Sequence, residues 1–404
     1  MANLCRVRLT GPLAVHREGL WEDLLARGYS PLTSRNLMRL FAHLSRWLAG
    51  KGLEAKELKQ ERVKEFFAHR RKSGYTAPHS LRGLEPVLHY LLATGIVQMP
   101  EECVVEQTPL DHLLREYEDY LVQERSLVVT TVEVHLRVAR RFLLRRFGSD
   151  TSDLAHLTTA DITSFILDDF RRRSIGSAKN TVTALRSLLR YLHVQGNLDT
   201  DLASAVPAVA GRRGASLPKS LAQAKVRQLL RTCDRRTHIG RRNYSILLLL
   251  VRLGLRAHEV ASLKLDDVYW DRGEIVIQGK GNREDRLPLP HDVGEAMASY
   301  LSRSRFRTDS RNFFLQARAP FEDLGRCTVS AMVKKAGARI GLPSLSAHKL
   351  RHTAATAMLR HGSSLNEIAQ VLRHRSVNTT AIYAKVDRDA LRSLCLPWPG
   401  GEES

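Results

Sequence analysis

No stretch of this 404-residue chain is apolar for long enough to cross a bilayer; Ile246 to Val251 has only the length of a buried helix segment. A membrane partner is therefore not expected. Cysteine is scarce, and Cys5, Cys103, Cys233, Cys327 and Cys395 are odd in number and far apart. They form neither a CxxC metal site nor a disulfide framework, which points to a reducing, cytoplasmic compartment. Arg6 and Arg8 interrupt the weak apolar content of the N-terminus, so a signal peptide is not expected either. Acid is also in short supply: 42 Asp and Glu face 63 Lys and Arg, a formal net charge of +21 with pI 10.2. Such a chain is drawn to polyanions, of which nucleic acid is the commonest, although charge alone also fits a solvated basic surface.

Two familiar ligand sites are missing as well. His348 and His352 stand four apart, as zinc ligands on a helix do, but no Glu lies beside the first. Lys349 and Arg351 there would repel a cation. Gly279-Lys280 is no Walker loop, because the spacing from Gly273 is one too long and Gly281 stands where Ser or Thr should hold magnesium. Neither a metal nor a cofactor is expected.

What the chain does have is concentrated between Leu345 and Tyr383. Ala347 to Arg360 lacks Pro and Gly and is rich in helix formers, so His348 and Arg351, three apart, leave one helical face. Gly362 is a helix stop. Ser364 with Glu367 has the form of a capping box, and Leu365, Ile368, Ala369 and Leu372 repeat at the spacing of a helix that buries one side. His374 lies just beyond it and Tyr383 nine residues later. Fixed cations and N–H donors stabilise an anion whose charge grows in a transition state, and arginine matches phosphate oxygens with a planar fork. A tyrosine beside two imidazoles and an arginine can serve as a nucleophile, although its phenol needs a base or a positive field.

Arg256, Lys280, His348, Arg351, His374 and Tyr383, in the contexts GLRAHEV, GKGNREDRLPLP, HKLRH and LRH, resemble the tyrosine recombinase (phage integrase) family over roughly residues 218 to 396. The resemblance implies a DNA recombinase of integrase or transposase type. Tyr383 would attack a phosphodiester to give a 3′-phosphotyrosyl link and a free 5′-hydroxyl, with neither metal nor ATP. Arg256, Arg351 and His374 would stabilise the transition state, Glu259 would support the site, His348 would assist the tyrosine proton, and Lys280 would protonate the leaving oxygen. Double-stranded DNA carrying a specific target site is the implied partner, handled by a homo-oligomer, dimer to tetramer. A type IB topoisomerase shares a similar residue set, and a DNA-binding protein without catalysis is the non-enzyme alternative. One position departs from the family pattern: Arg373 stands where Gly is common, so the placement of His374 is in question and Arg373 is a further candidate phosphate contact.

The remainder reads as helical, with Leu37, Leu40, Phe41, Leu44 and Leu48 in one periodic run and Leu185, Leu188, Leu189 and Leu192 in another. Leu58, Val63 and Phe66 correspond to Leu157, Ile162 and Phe165 at an offset of 99, and Leu84, Leu88, Tyr90 and Gly95 to Leu185, Leu189, Tyr191 and Gly196 at 101. That suggests an internal duplication. The break from Met99-Pro100 to Thr108-Pro109 is rich in acid, and its two prolines are expected to end helices. Glu274 to Gln278 and Arg283 to Leu289 form a hairpin by pattern, and Tyr244 to Leu253 is apolar nearly all round, as a central helix is.

The expected fold is thus mainly α with a small antiparallel β-sheet in a C-terminal catalytic domain, preceded by helical, SAM-like DNA-binding domains. The divisions fall at 1–105, a helical domain that duplicates the next; 106–206, which resembles the family's DNA-clamping core-binding domain; 207–218, a basic linker; and 219–404, the catalytic domain with its tail. Arg171, Arg172, Arg173, Lys179 and Asn180 are candidate phosphate contacts in the clamp, and Arg212 and Arg213 in the linker.

Overall fold

The architecture is that of a computed structural model, which describes residues 7–75, 81–97, 108–150, 153–172, 175–209, 220–279, 284–373, Thr380 and Tyr383. It is mostly helical with one three-stranded antiparallel sheet, as the sequence pattern predicts.

The N-terminal segment forms a bundle of α1 (Arg17–Ala26), α2 (Pro31–Gly50), α3 (Gln60–Lys72) and α4 (Leu81–Ala93). Ser30 opens α2 by accepting from the Thr33 N–H, and Pro31 follows at the first turn, where a missing N–H costs nothing. The core holds Leu20, Leu24, Met38, Phe41, Leu44, Phe66, Leu84 and Leu91. A second bundle follows from α5 (Pro109–Asp119), α6 (Val129–Phe147), α7 (Thr159–Arg172) and α8 (Ile175–Val194), around Tyr117, Phe142, Ile162, Phe165, Leu185 and Leu188. One expectation is corrected here. Pro109 begins a helix instead of ending one, because Thr108 caps α5 by exchanging hydrogen bonds with Asp111.

The paired positions of the two bundles occupy equivalent places. Short 3₁₀ turns at Ala55–Glu57 and Leu154–His156 precede α3 and α7. Leu58, Val63 and Phe66 are buried, as are Leu157, Ile162 and Phe165. Gly95 and Gly196 both take positive φ, +70° and +75°, just past the fourth helix of each bundle, where a side chain would be strained.

The C-terminal segment comprises α9 (Gln223–Arg231), α10 (His238–Arg252), α11 (Ala257–Ala261), β1 (Val268–Tyr269), β2 (Glu274–Gln278), β3 (Glu284–Pro288), α12 (His291–Arg303), α13 (Arg326–Ala338), α14 (Ala347–Arg360) and α15 (Leu365–Leu372). The strands run in the order β1-β2-β3, and Gln278 pairs with Glu284 at the turn end of the hairpin. Ile246 to Leu250 are all buried, so α10 is the central helix of this segment, packed by α12 and α14.

By compactness the chain divides into two units, 1–98 with 216–404 and 99–215. Within the first unit, Gly28 sits with φ +81° against the Phe321 ring. A Cβ there would come within 2.4 Å of the ring, so only glycine fits this approach.

Candidate active site

The site is assembled from the turn between α10 and α11, the first half of α14, the end of α15, and Tyr383. Ser346 caps α14 by accepting from the Lys349 N–H, which fixes where its side chains emerge. Ser364 and Glu367 close a reciprocal capping box on α15, as expected, and Ile368 and Leu372 are its buried face.

Arg351 projects from α14 into the interior and is only 3% exposed. One guanidinium nitrogen donates to the Gly254 carbonyl at 2.6 Å and the other to the Leu372 carbonyl. Those two carbonyls lie at the end of α10 and the end of α15, so this one side chain ties three helices together. Gly254 makes the approach possible. Its φ is +61°, and a Cβ would meet the Leu372 side chain at 2.5 Å. Burial, followed by the repulsion of Arg256, brings Arg351 down to about 10.

Arg256 is the N-cap of α11. Its backbone N–H donates to Glu259 Oε2 at 2.7 Å and its guanidinium to Oε1 at 2.6 Å, yet the side chain stays half exposed. Glu259 is buried and accepts a second guanidinium, that of Arg373, on Oε2 at 2.6 Å. Burial pushes the Glu259 carboxyl up, but Arg373, the Arg256 N–H and the Arg256 charge together leave it below the usual carboxylate range.

Arg373 reaches Glu259 because its own backbone is left-handed, with φ 54° and ψ 50°, at the C-cap of α15. The arginine thus takes the conformation that glycine would take at this point. Its side chain is 5% exposed and also donates to the Val371 carbonyl. The guanidinium expected as a phosphate contact is therefore turned inward onto the carboxylate. Asp285, at the start of β3, adds a raising influence on Arg373, which brings the hairpin within electrostatic reach of this cluster.

Tyr383 lies within electrostatic reach of Arg351. The Tyr383 ring is buried with Ala355, Ile368 and Leu372. Its hydroxyl stands 2.8 Å from His352 Nδ1, and His352 Nε2 stands 3.0 Å from His348 Nε2. Burial raises the Tyr383 phenol to about 12 despite the nearby Arg351. Burial, then His348 and Arg351, push His352 down to about 4, so its imidazole is neutral and free to accept. Desolvation, Arg351 and Arg256 lower His348 in the same direction.

Arg256, Glu259, His348, Arg351 and Tyr383 are thereby brought together. Lys280 and His374 lie outside the described residues, as do Arg173, Arg212, Arg213 and the Arg172 side chain. Arg171 and Asn180 are exposed on α7 and α8, and Lys179 is half-buried. His352 is the residue that sequence reasoning passed over. The signal is in the sequence, since two imidazoles four apart share a helix face, but the same spacing also suits a metal pair and nothing local to it points to the Tyr383 hydroxyl.

The phage integrase family matches residues 219–389. The chain is 40% identical over 397 residues to y4rA of Sinorhizobium fredii, a candidate integrase/recombinase, covering 96% of this chain and 95% of the relative. It is 31% identical to the tyrosine recombinase XerD of Mycobacterium leprae, over 71% of this chain and 95% of that one. Among solved structures, XerH site-specific recombinase bound to a palindromic difH substrate superposes with TM-score 0.55 at 18% identity, covering 82% of this chain and 93% of XerH.

Proposed function

The chain belongs to the tyrosine recombinase (phage integrase) family of DNA breaking-and-rejoining enzymes, and from that premise we propose how its own residues carry the reaction. The Tyr383 hydroxyl attacks a phosphodiester of duplex DNA. An Oη–P bond forms, the P–O5′ bond breaks, and the chain becomes linked to a 3′-phosphate. The tyrosine proton passes to His352 Nδ1, while His352 Nε2–H hands its proton along to His348. Lys280 protonates the departing 5′ oxygen, which leaves as a hydroxyl. A 5′-hydroxyl from a partner strand then attacks the phosphotyrosine and reverses each transfer. Because the covalent link retains the bond energy, no nucleotide cofactor enters.

The observation that carries this reading is the hydrogen-bonded line Tyr383–His352–His348 running beside the buried Arg351. It supports a nucleophile whose proton has a route out and whose product charge meets fixed cations. Arg256, half exposed yet anchored by Glu259, is suited to grip the non-bridging oxygens with Arg351, and His374 joins them. In the same reading residues 106–206 are the core-binding domain and 219–404 the catalytic domain, joined by 207–218. Residues 1–105 are a further helical domain duplicated from the next. The protein acts in the cytoplasm as a dimer to tetramer on a specific site, with Arg171, Arg172, Arg173, Lys179, Asn180, Arg212 and Arg213 near phosphates.

The test is to trap the protein on nicked suicide duplexes from its own genomic neighbourhood, in EDTA, and to look for an adduct resistant to SDS. An adduct that Tyr383→Phe abolishes while DNA binding persists is the expected result. An adduct that survives moves the nucleophile elsewhere, and tight binding with no adduct in the parent makes the protein a binder without catalysis. Cleavage by Lys280→Ala should recover on a 5′-sulfur-bridged substrate, whose leaving group needs no proton; failure of that rescue removes the acid role.

A further inference from the structure

The two helical bundles follow one plan but differ in charge. Residues 1–98 carry 16 Lys and Arg against 8 Asp and Glu, whereas residues 99–215 carry 15 against 16. Part of the difference falls where the last turns of α2 and α3 meet. There a cavity of about 420 Å³ is lined by His43, Arg46, Trp47, Lys51, His69, Arg70 and Tyr75, among others, and among the described residues no side chain lining it is acidic. Arg70 is 5% exposed, stands 3.1 Å from His43 Nδ1, and stacks its guanidinium 4.3 Å from the Tyr75 ring centre.

At the offset of 99, His69 and Arg70 correspond to Asp168 and Asp169, Arg46 to Arg145, and Phe66 to Phe165. In the second bundle these positions neutralise one another. Arg145 pairs with Asp168 at 2.5 Å, Arg141 pairs with Asp169 at 2.8 Å, and the Arg141 guanidinium lies over the Phe165 ring. In the first bundle a guanidinium still lies over the matching Phe66 ring, but it comes from α3, at the position where the other bundle supplies the acid. Cations thus gather around a partly enclosed, aromatic-walled cavity from which the equivalent carboxylates are missing. The effect is felt by His43, which burial, Arg46 and Arg70 all push toward its neutral form. Groups arranged in this way are complementary to an oxyanion.

We infer that this cavity is a phosphate-binding site for duplex DNA, in which Arg46, Lys51, His69 and Arg70 take one backbone phosphodiester. The N-terminal bundle then grips DNA at a point the second bundle cannot copy. The inference rests on the DNA-recombinase reading above and deepens it by giving the N-terminal bundle a contact of its own.

The experiment uses the full chain and a fluorescein-labelled duplex DNA of generic sequence, with binding followed by anisotropy across a salt series. Arg46→Glu and Lys51→Glu, both at exposed positions, are compared with Lys64→Glu, which reverses an exposed charge on α3 outside the cavity. Each cavity variant should weaken binding about 10-fold and lower the slope of log K against log salt by about 1, the signature of one lost phosphate contact. Lys64→Glu should do much less. An unlabelled RNA duplex of the same sequence serves as competitor, and DNA should displace the probe better than RNA if the phosphate belongs to DNA. Equal effects from Lys64→Glu and Lys51→Glu would reduce the cavity to part of a diffuse basic field and overturn the site. Unchanged affinity and slope would overturn it too, and if Tyr383-dependent adducts persist in those variants the recombinase reading stands. Loss of all DNA binding and adducts in the parent would instead sink that reading. If Arg46→Glu disturbs folding by circular dichroism, Lys51→Gln gives the same comparison with a smaller change.

Discussion

The two halves of the candidate active site are held together by different forces. On one side Arg256, Arg351 and Arg373 are fixed by buried partners: the shared Glu259 carboxylate and the carbonyls of Gly254, Leu372 and Val371. On the other side Tyr383 sits among Ala355, Ile368 and Leu372, with its hydroxyl 2.8 Å from His352 Nδ1 and His352 Nε2 in turn 3.0 Å from His348 Nε2. Preorganised cations cost nothing to reorient when charge develops, but their mutual repulsion has to be offset by a buried carboxylate. A nucleophile has to change protonation state and so is better served by neutral, weakly held groups. The arginine half should therefore couple activity to stability, and the tyrosine half should leave them separable.

The sharpest way to break that contrast is Glu259→Gln. Removing the charge leaves Arg373 buried against a neutral group, and breaking a buried pair from one side costs about 3–5 kcal/mol. Urea unfolding should register that loss, and phosphotyrosyl adducts should vanish with it. A variant as stable as the parent would show that the arginine half is not held by its carboxylate. His352→Gln probes the opposite half. It keeps a polar group near the hydroxyl but cannot relay a proton, so single-turnover cleavage should slow by about 10²–10³-fold. Stability should move by about 1 kcal/mol or less, because the side chain is only half-buried. If unfolding shifts as far as it does in Glu259→Gln, the two halves are not distinct.

Arg373→Gly tests the arginine half more finely, because two effects oppose each other. A left-handed residue with a side chain costs about 1–2 kcal/mol relative to a permissive backbone, and glycine removes that cost. It also strips Glu259 of its largest compensating charge. The ion pair should prevail, leaving the variant about 2 kcal/mol less stable. The Glu259 carboxyl should then titrate higher, so cleavage falls away at a less acid pH than in the parent. Arg373→Lys restores the charge and should recover part of that pH profile, whereas a merely structural role for Arg373 would leave the profile unmoved.

How far these features can be read from the sequence depends on the range of the interaction that sets them. The limits of α14, the Ser364–Glu367 box and the β2–β3 hairpin rest on contacts within a few residues, so the sequence pattern places them well. Pro109 was misplaced because proline both ends and begins helices, and what decides is a cap one residue before it. Arg373 defied its local rule because its left-handed turn is accompanied by a bond to Glu259, 114 positions away. No window on the sequence contains both. His352 was hidden differently, since its spacing from His348 was visible but its partner hydroxyl comes from a segment 31 residues on.

The smallest effect expected is also the one that isolates His352 from its neighbours. Its ordinary value is 6.5, and the folded site brings it down to about 4. As pH falls, the unfolded chain takes up a proton near the ordinary value while the folded chain resists until the lower one. The unfolded state therefore binds more protons across this window, and the stability contributed by neutral His352 drains away as pH drops. Carboxylates titrate nearby, so the informative quantity is the difference between parent and His352→Gln. Between about pH 7 and about pH 5 the urea midpoint of the parent should fall further than that of the variant. Parallel curves would mean that the imidazole is not desolvated in solution. Tyr383 would then face a base already prone to protonation, and the softness assigned to its half of the site would have no physical origin.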